Sequence, residues 1–313
     1  MTRILSRSDL LALLDPAACV EVLAAGFRGT AAPGGTGGEA HRVIAELPFP
    51  GTATALIPGV LPGIPAYTVK VNAKFPAASP ALRGVVCLYS GVDGDLLALL
   101  DSATVTAWRT GLAAALGTHT LARPDATSVG VIGAGAQAEV MLRGLRALRE
   151  VGEVWVQDVE PLRAREFAAR HGARTLPDPA AIARAADIVL LATWSRTPLL
   201  GLADARPGQH FTTLGADEPG KLELGPDLLG AAHLVVDDRE LARRSGVLGT
   251  LGLAGATTLG EMLNAESRCP AAAPDARTVY APVGLPWQDL ALAWRAYEEA
   301  ERRGVGVTVD LLA

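Results

Sequence analysis

The chain is 313 residues long, half of them hydrophobic, with 28 Lys and Arg against 33 Asp and Glu and a net charge of −5. That length suits two domains or one large α/β domain. The acidic balance excludes a nucleic-acid surface, and no apolar run reaches the roughly 18 residues of a membrane span.

At the N-terminus, MTRILSRSDLLALLD carries Asp9 and Asp15 in amphipathic spacing. That is not a secretion signal, so the cytoplasm is the expected location. Helical spacing runs over 8–28 through Leu10, Leu13, Leu14, Val20, Leu23 and Phe27, and AAPGGTGGEA follows as a loop. From Arg42 to Leu100 the texture is short β-like runs parted by Gly and Pro: RVIAEL, TATALIP, AYTVKVNAKF, GVVCLYS and DLLALLD. GVVCLYSGVDGDLLALLD predicts a hairpin turning at Asp93-Gly94. A helix over 102–121 closes at Arg123-Pro124-Asp125.

Beyond it, buried strands alternate with helices: TSVGVIGAG, AQAEVMLRGLRALRE, VGEVWVQD, PLRAREFAARHG, then ADIVLLAT, HFTTLG and AHLVVDD. This spacing predicts a doubly wound parallel sheet with helices on both faces. LPWQDLALAWRAYEEAERRG is a last long helix, followed by the β-like tail VGVTVDLL. The expected domains are 1–122 with 288–313, a smaller α/β domain around an antiparallel or mixed sheet, and 123–287, the parallel-sheet domain.

Gly133-Ala134-Gly135-Ala136-Gln137-Ala138 leaves an apolar strand and opens a helix, fitting G-x-G-x-x-G/A. The turn needs Gly133, a pyrophosphate approaches the backbone at Gly135, and Ala138 lets helix meet sheet. Free N–H groups at the helix start then face the phosphates. Asp158 ends the second strand, where an acid accepts hydrogen bonds from the adenosine ribose and repels a 2′-phosphate. NAD is therefore expected ahead of NADP, with Arg163 and Arg165 further on leaving a route to the latter.

Three cations stand in apolar company: Lys70 in AYTVKVNAKF, Arg42 opening its strand, and Arg109 in VTAWRTGLAAA. Desolvating a cation is costly without an anion. Either they converge on a substrate carboxylate or each is a snorkelling or internally paired residue. Asp217, in GADEPGK after a buried strand, is placed to move protons at the carboxyl end of the sheet, or else simply forms a turn. Cys19, Cys87 and Cys269 form no CxxC pair and the five His residues no HxH or HExxH. Neither a disulfide framework nor a metal site is expected.

Lys70, LLALLDSATVTAWRTGLAAALGTHTLA, VGVIGAGAQA, TTLGADEPGKLEL and APVGLPWQDLALA, in this order, resemble the ornithine cyclodeaminase/μ-crystallin family over almost the whole chain. The resemblance implies a Rossmann-type domain plus a smaller α/β domain that makes a homodimer by sheet contact. It implies an NAD(P)-dependent enzyme acting at the α-carbon of a small amino or imino acid, as an alanine dehydrogenase or a cyclic-imine reductase does. It further implies that Arg42, Lys70 and Arg109 hold the substrate carboxylate, with Asp217 handling protons and Lys70 beside the chemistry. Thr110, Thr193, Val283 and Gly284 would line the cofactor cleft.

Other members are ornithine or lysine cyclodeaminases, which form proline or pipecolate and release ammonia, or crystallins that bind dinucleotide without catalysis. The cyclodeaminases carry an acid just before the Pro of the strand preceding the lysine; Ala53-Thr54-Ala55-Leu56-Ile57-Pro58 has none, so a small or apolar substrate side chain is expected.

Overall fold

The computed structural model describes residues 1–32, 42–46, 52–75, 78, 80–215, 220–265, 273, 275–311 and 313, with the backbone alone for 42–46 and 52–57. The chain forms two compact units, Met1–Arg109 with Leu285–Ala313, and Thr110–Gly284. The first begins with β1 (Thr2–Leu5), α1 (Arg7–Leu13) and α2 (Pro16–Ala31). Five strands follow: β2 (Arg42–Glu46), β3 (Thr52–Gly59), β4 (Ala66–Lys74), β5 (Leu82–Ser90) and β6 (Leu96–Asp101). Helix α3 (Ser102–Leu121) starts in the first unit and ends in the second.

The second unit runs through β7 (Val129–Ile132), α4 (Ala136–Leu148), β8 (Val154–Gln157), α5 (Pro161–His171), β9 (Arg174–Thr175), α6 (Pro179–Ala185) and β10 (Ile188–Leu191). It continues with β11 (His210–Thr213), α7 (Pro226–Ala231), β12 (His233–Val236), α8 (Arg239–Ser245), α9 (Val247–Leu251), β13 (Thr257–Thr258), α10 (Leu259–Asn264) and β14 (Thr278–Tyr280). The chain then returns to the first unit as α11 (Pro286–Arg303) and β15 (Val307–Val309).

The helix expected over 8–28 is two helices. Pro16 opens the second, and Asp15 caps it by accepting the Ala18 N–H at 2.9 Å, so the apolar spacing spans a break that only the cap residues mark. The expected domain limits at 122/123 and 287/288 contrast with units that divide at 109/110 and 284/285. The second half of α3 lies in the core of the second unit, where Ala114, Ala115 and Ala122 pack with Val129, Val131, Met141 and Leu145.

The first sheet has seven strands in the order β15-β1-β6-β5-β4-β3-β2, parallel only between β1 and β6. The hairpin between β5 and β6 turns at Gly94 with φ +81°. α11 contacts β3, β4 and β5, and this sheet buries Thr68, Lys70, Asn72, Val86, Leu88 and Leu100. The alternate positions Tyr67, Val69, Val85, Cys87 and Tyr89 are half-buried and Val71 is exposed, with Tyr67 and Tyr89 stacked at 5.1 Å. α11 is seated on α2 by Trp287, whose ring lies 2.4 Å from where a Cβ on Gly26 would stand and edge-on to Phe27 at 5.0 Å.

The second sheet is eight parallel strands in the order β13-β12-β14-β11-β10-β7-β8-β9. From β7 the chain builds outward through β8 and β9, then crosses to β10 on the other side. The carboxyl ends of β7 and β10 therefore flank the topological switch point, where open α/β sheets bind ligands. Among the described residues no single helix is long and apolar enough to cross a membrane, and no group of three His, Cys, Asp or Glu could hold a metal ion.

Candidate active-site residues in the two units

In the second unit the glycine turn leaves β7 at the switch point. Gly133 has φ +90°, and a Cβ there would stand 2.6 Å from the Ala192 carbonyl oxygen, so no other residue fits. Gly135 is the N-cap of α4 without a side-chain cap, and a Cβ on it would meet nothing within 4 Å. The uncapped N–H groups of α4 thus open onto free space, the arrangement that accepts an anionic group. Ala136 is exposed, Gln137 is half-buried, and Ala138 is fully buried where helix meets sheet.

Asp158 follows β8 and braces this turn. Its Oδ2 accepts the Ala134 N–H at 2.8 Å, its Oδ1 accepts the Glu160 N–H at 2.8 Å, and Arg163 Nη1 pairs with Oδ1 at 3.4 Å. Thr193, just beyond β10, gives its N–H and its hydroxyl to Glu223 Oε1, each at 2.6 Å. The Val283 and Gly284 N–H groups donate to Asp237 Oδ2 at 3.1 and 2.6 Å. Burial pushes the Asp237 carboxyl above its usual range, against the pull of the Gly284, Val283 and Asp238 N–H groups. Thr110 Oγ1 is buried with no hydrogen-bond partner among the described residues. Asp217 lies outside the described residues.

In the first unit, Lys70 on β4 is 3% exposed, and its Nζ donates to both oxygens of Asp289 at 2.8 and 2.7 Å and to Thr106 Oγ1 at 3.3 Å. Arg109, 6% exposed, is held more loosely: Nε stands 3.5 Å from Asp289 Oδ1 and Nη1 is 3.4 Å from Gln288 Oε1. Strand register places Arg42 opposite Leu56 and Leu56 opposite Lys70, so the two cation positions share one cross-strand row. The Arg42 side chain lies outside the described residues.

Gln288 and Asp289 escaped the sequence reading, although both stand in its motif PWQDLALA. They occupy the first turn of α11, where Asp289 faces the positive end of the helix dipole. Gln288 Oε1 accepts the Leu285 N–H at 3.2 Å, which fixes the amide so that its Nε2 is a donor. That Nε2 and Arg109 Nε are both buried without a hydrogen-bond acceptor among the described residues. A polar Gln-Asp pair at the start of an apolar, buried helix was the available signal.

Strand order, glycine turn and bracing acid make the second unit a Rossmann-type α/β unit, the class of fold that seats dinucleotides at its switch point. The model of the ornithine cyclodeaminase/mu-crystallin family matches residues 17–304, and the chain belongs to that family. An alanine dehydrogenase of Archaeoglobus fulgidus is 32% identical over 237 residues, 72% of this chain and 73% of its own. An archaeal alanine dehydrogenase dimer with bound NAD superposes with a TM-score of 0.88 at 28% identity, over 99% of each chain. The Thermococcus litoralis Δ1-pyrroline-2-carboxylate reductase, in complex with NADH and L-proline, gives 0.88 at 26% identity, over 98% of this chain and 100% of its own.

Proposed function

We propose that this protein is an NAD-dependent oxidoreductase that interconverts a small α-amino acid and its imine, acting in the cytoplasm as a homodimer. The observation that carries this reading is the pair of donors in the first unit. Beyond the 3.5 Å ion pair of Arg109 Nε with Asp289, Arg109 Nε and Gln288 Nε2 are buried without a hydrogen-bond acceptor among the described residues, a costly arrangement that a ligand carboxylate relieves. Arg109 offers the planar fork suited to a carboxylate. Asp289, bonded chiefly to Lys70, holds that lysine in place, and Arg42 shares its row. Alanine and pyrroline-2-carboxylate, in the relatives' names, and the L-proline bound to one of them all carry an α-carboxylate.

Bound NAD supplies the group that accepts or returns two electrons with the α-hydrogen. In the second unit, the α4 N-terminus and Gly135 receive the pyrophosphate, Asp158 the ribose hydroxyls, and Thr110, Thr193, Val283 and Gly284 line the cleft. Asp217 moves a proton to or from the substrate nitrogen. The apolar alternate face of the first sheet, with Val71 47% exposed, is the support for a dimer by sheet contact.

The test is a thermal-shift screen with NAD and NADP, each paired with L-alanine, L-proline, L-ornithine and Δ1-pyrroline-2-carboxylate, followed by NADH absorbance and an ammonia assay on any ligand that binds. NAD with one of these acids should raise the melting temperature by mass action, and NADH should change in step with product. Ammonia release without net change in NADH makes the enzyme a cyclodeaminase instead. No shift with either dinucleotide refutes the reading.

A further inference from the structure

Glu223 has no part in the reading above, yet its carboxylate accepts four hydrogen bonds in the second unit. It is 0% exposed. Oε1 accepts the Thr193 N–H and hydroxyl, each at 2.6 Å, and Oε2 accepts the Thr213 hydroxyl at 2.6 Å and the Gly215 N–H at 2.7 Å. Its own carbonyl accepts the Leu199 N–H at 2.7 Å. One side chain therefore ties together the chain leaving β10 and the chain leaving β11.

Two features make this a requirement for a carboxylate and not for any polar side chain. Thr193 N–H and Gly215 N–H can only donate, and one sits on each oxygen, so an amide would set its NH2 against one of them whichever way it turned. The approach also demands a glycine: a Cβ on Gly215 would stand 2.4 Å from Glu223 Cδ. The Leu-Gly preceding Ala216 and Asp217 is thus explained by Glu223, eight positions later in the chain.

We infer that Glu223 is a positioning residue whose carboxylate fixes Thr193 in the cofactor cleft and fixes Gly215, the point from which the segment bearing Asp217 departs. Its effect on turnover rests on the proposed role of Asp217; its hold on the two segments does not. The mechanism is preorganisation. A proton-transfer group displaced by about 1 Å costs on the order of a hundredfold in rate, and a charge-assisted bond to backbone N–H restrains displacement more strongly than a neutral one.

The experiment compares wild type, Glu223→Gln and Asp217→Asn and their double variant. Hydrogen-exchange mass spectrometry reads peptides covering 193–197 and 214–221, and steady-state kinetics reads the reduction of Δ1-pyrroline-2-carboxylate by NADH. In Glu223→Gln, exchange in those two peptides should rise at least tenfold with the remaining peptides of the second unit unchanged. kcat should fall ten- to a hundredfold while KM for NADH rises less than threefold. In the Asp217→Asn background Glu223→Gln should cost little more, because its effect passes through Asp217. Should Glu223→Gln not fold, Thr213→Val removes one hydroxyl donor and should show the same pattern, smaller. Unchanged exchange in both peptides overturns the inference, and so does a kcat loss that multiplies fully with that of Asp217→Asn. Raised exchange with an Asp217→Asn enzyme of normal turnover upholds the anchoring and refutes instead the role given to Asp217.

Discussion

His210 gives the second unit a defined response to acid. It lies on β11, 1% exposed, with Nδ1 at 2.8 Å from Thr278 Oγ1 and Nε2 at 2.8 Å from Thr212 Oγ1; Thr212 in turn shares a bond with Thr118 at 2.7 Å. Burial, helped by the charge of Arg149, pushes its imidazole from 6.5 down to about 3. The unfolded chain binds a proton here below pH 6.5 while the folded chain does not, so stability is complete above that value and drains away as pH falls towards 3. At pH 5 the unfolded imidazole is almost wholly protonated and the folded one still neutral. The step from pH 7 to 5 therefore costs about 2 kcal/mol from this group alone. Urea unfolding of wild type and His210→Gln at both pH values measures it. The variant should be less stable at pH 7, having lost one threonine partner, but should lose about 2 kcal/mol less than wild type on going to pH 5. Equal losses in the two proteins would show that His210 accepts its proton in the folded state, and the argument from burial would fail.

Four further outcomes follow from the site residues. Asp217→Asn should leave NAD affinity nearly intact and cut turnover by roughly two to four orders of magnitude, read by single-turnover kinetics. Arg109→Lys keeps the charge but loses the fork, and should raise KM for the amino or imino acid about tenfold to a hundredfold with little change in NAD affinity. Asp158→Asn sets an NH2 against either the Ala134 or the Glu160 N–H; NAD affinity should drop about tenfold, read by NADH fluorescence titration, with NADP affected less. Val71→Asp, on the exposed alternate face of the first sheet, should convert a dimer to a monomer in light scattering without lowering NADH affinity.

Much of the fold was legible because its signals are local. The strand–helix alternation beyond residue 126, the glycine turn and the bracing acid each occupy a few consecutive positions, and β7 and β10 are buried throughout as their unbroken apolar runs imply. The break between α1 and α2 was missed because heptad-like spacing continues across Asp15-Pro16, which reads as a cap only once the turn is recognised. Lys70 and Arg109 announced themselves as cations in apolar company. Their protein partner did not, since Asp289 lies 219 positions from Lys70 and no pattern links them. Of the two readings left open for Lys70, the internal ion pair is present; Arg109 also pairs with Asp289 at 3.5 Å, but its Nε has no hydrogen-bond acceptor among the described residues.

Three acids, of which the sequence singled out only Asp158, share one physical task. Asp158 takes the N–H groups of Ala134 and Glu160, Glu223 those of Thr193 and Gly215, and Asp237 those of Val283, Gly284 and Asp238. Each is nearly or wholly buried, and each sits where chain leaves the carboxyl end of a strand of the parallel sheet. A loop there cannot satisfy its N–H groups in the sheet, and a helix would close the crevice to a ligand. A buried carboxylate solves both problems, offering several acceptor sites in one small group while leaving the far side of the loop free. These charge-assisted bonds recover part of the desolvation cost of the charge, though not all of it at Asp237, whose carboxyl burial still pushes above its usual range. The same bonds remove the loop's freedom before any ligand arrives, so less ordering entropy opposes binding. Loops at the proposed dinucleotide site are thus stiffened by buried acids, and Asp158 combines that task with the ribose contact proposed for it.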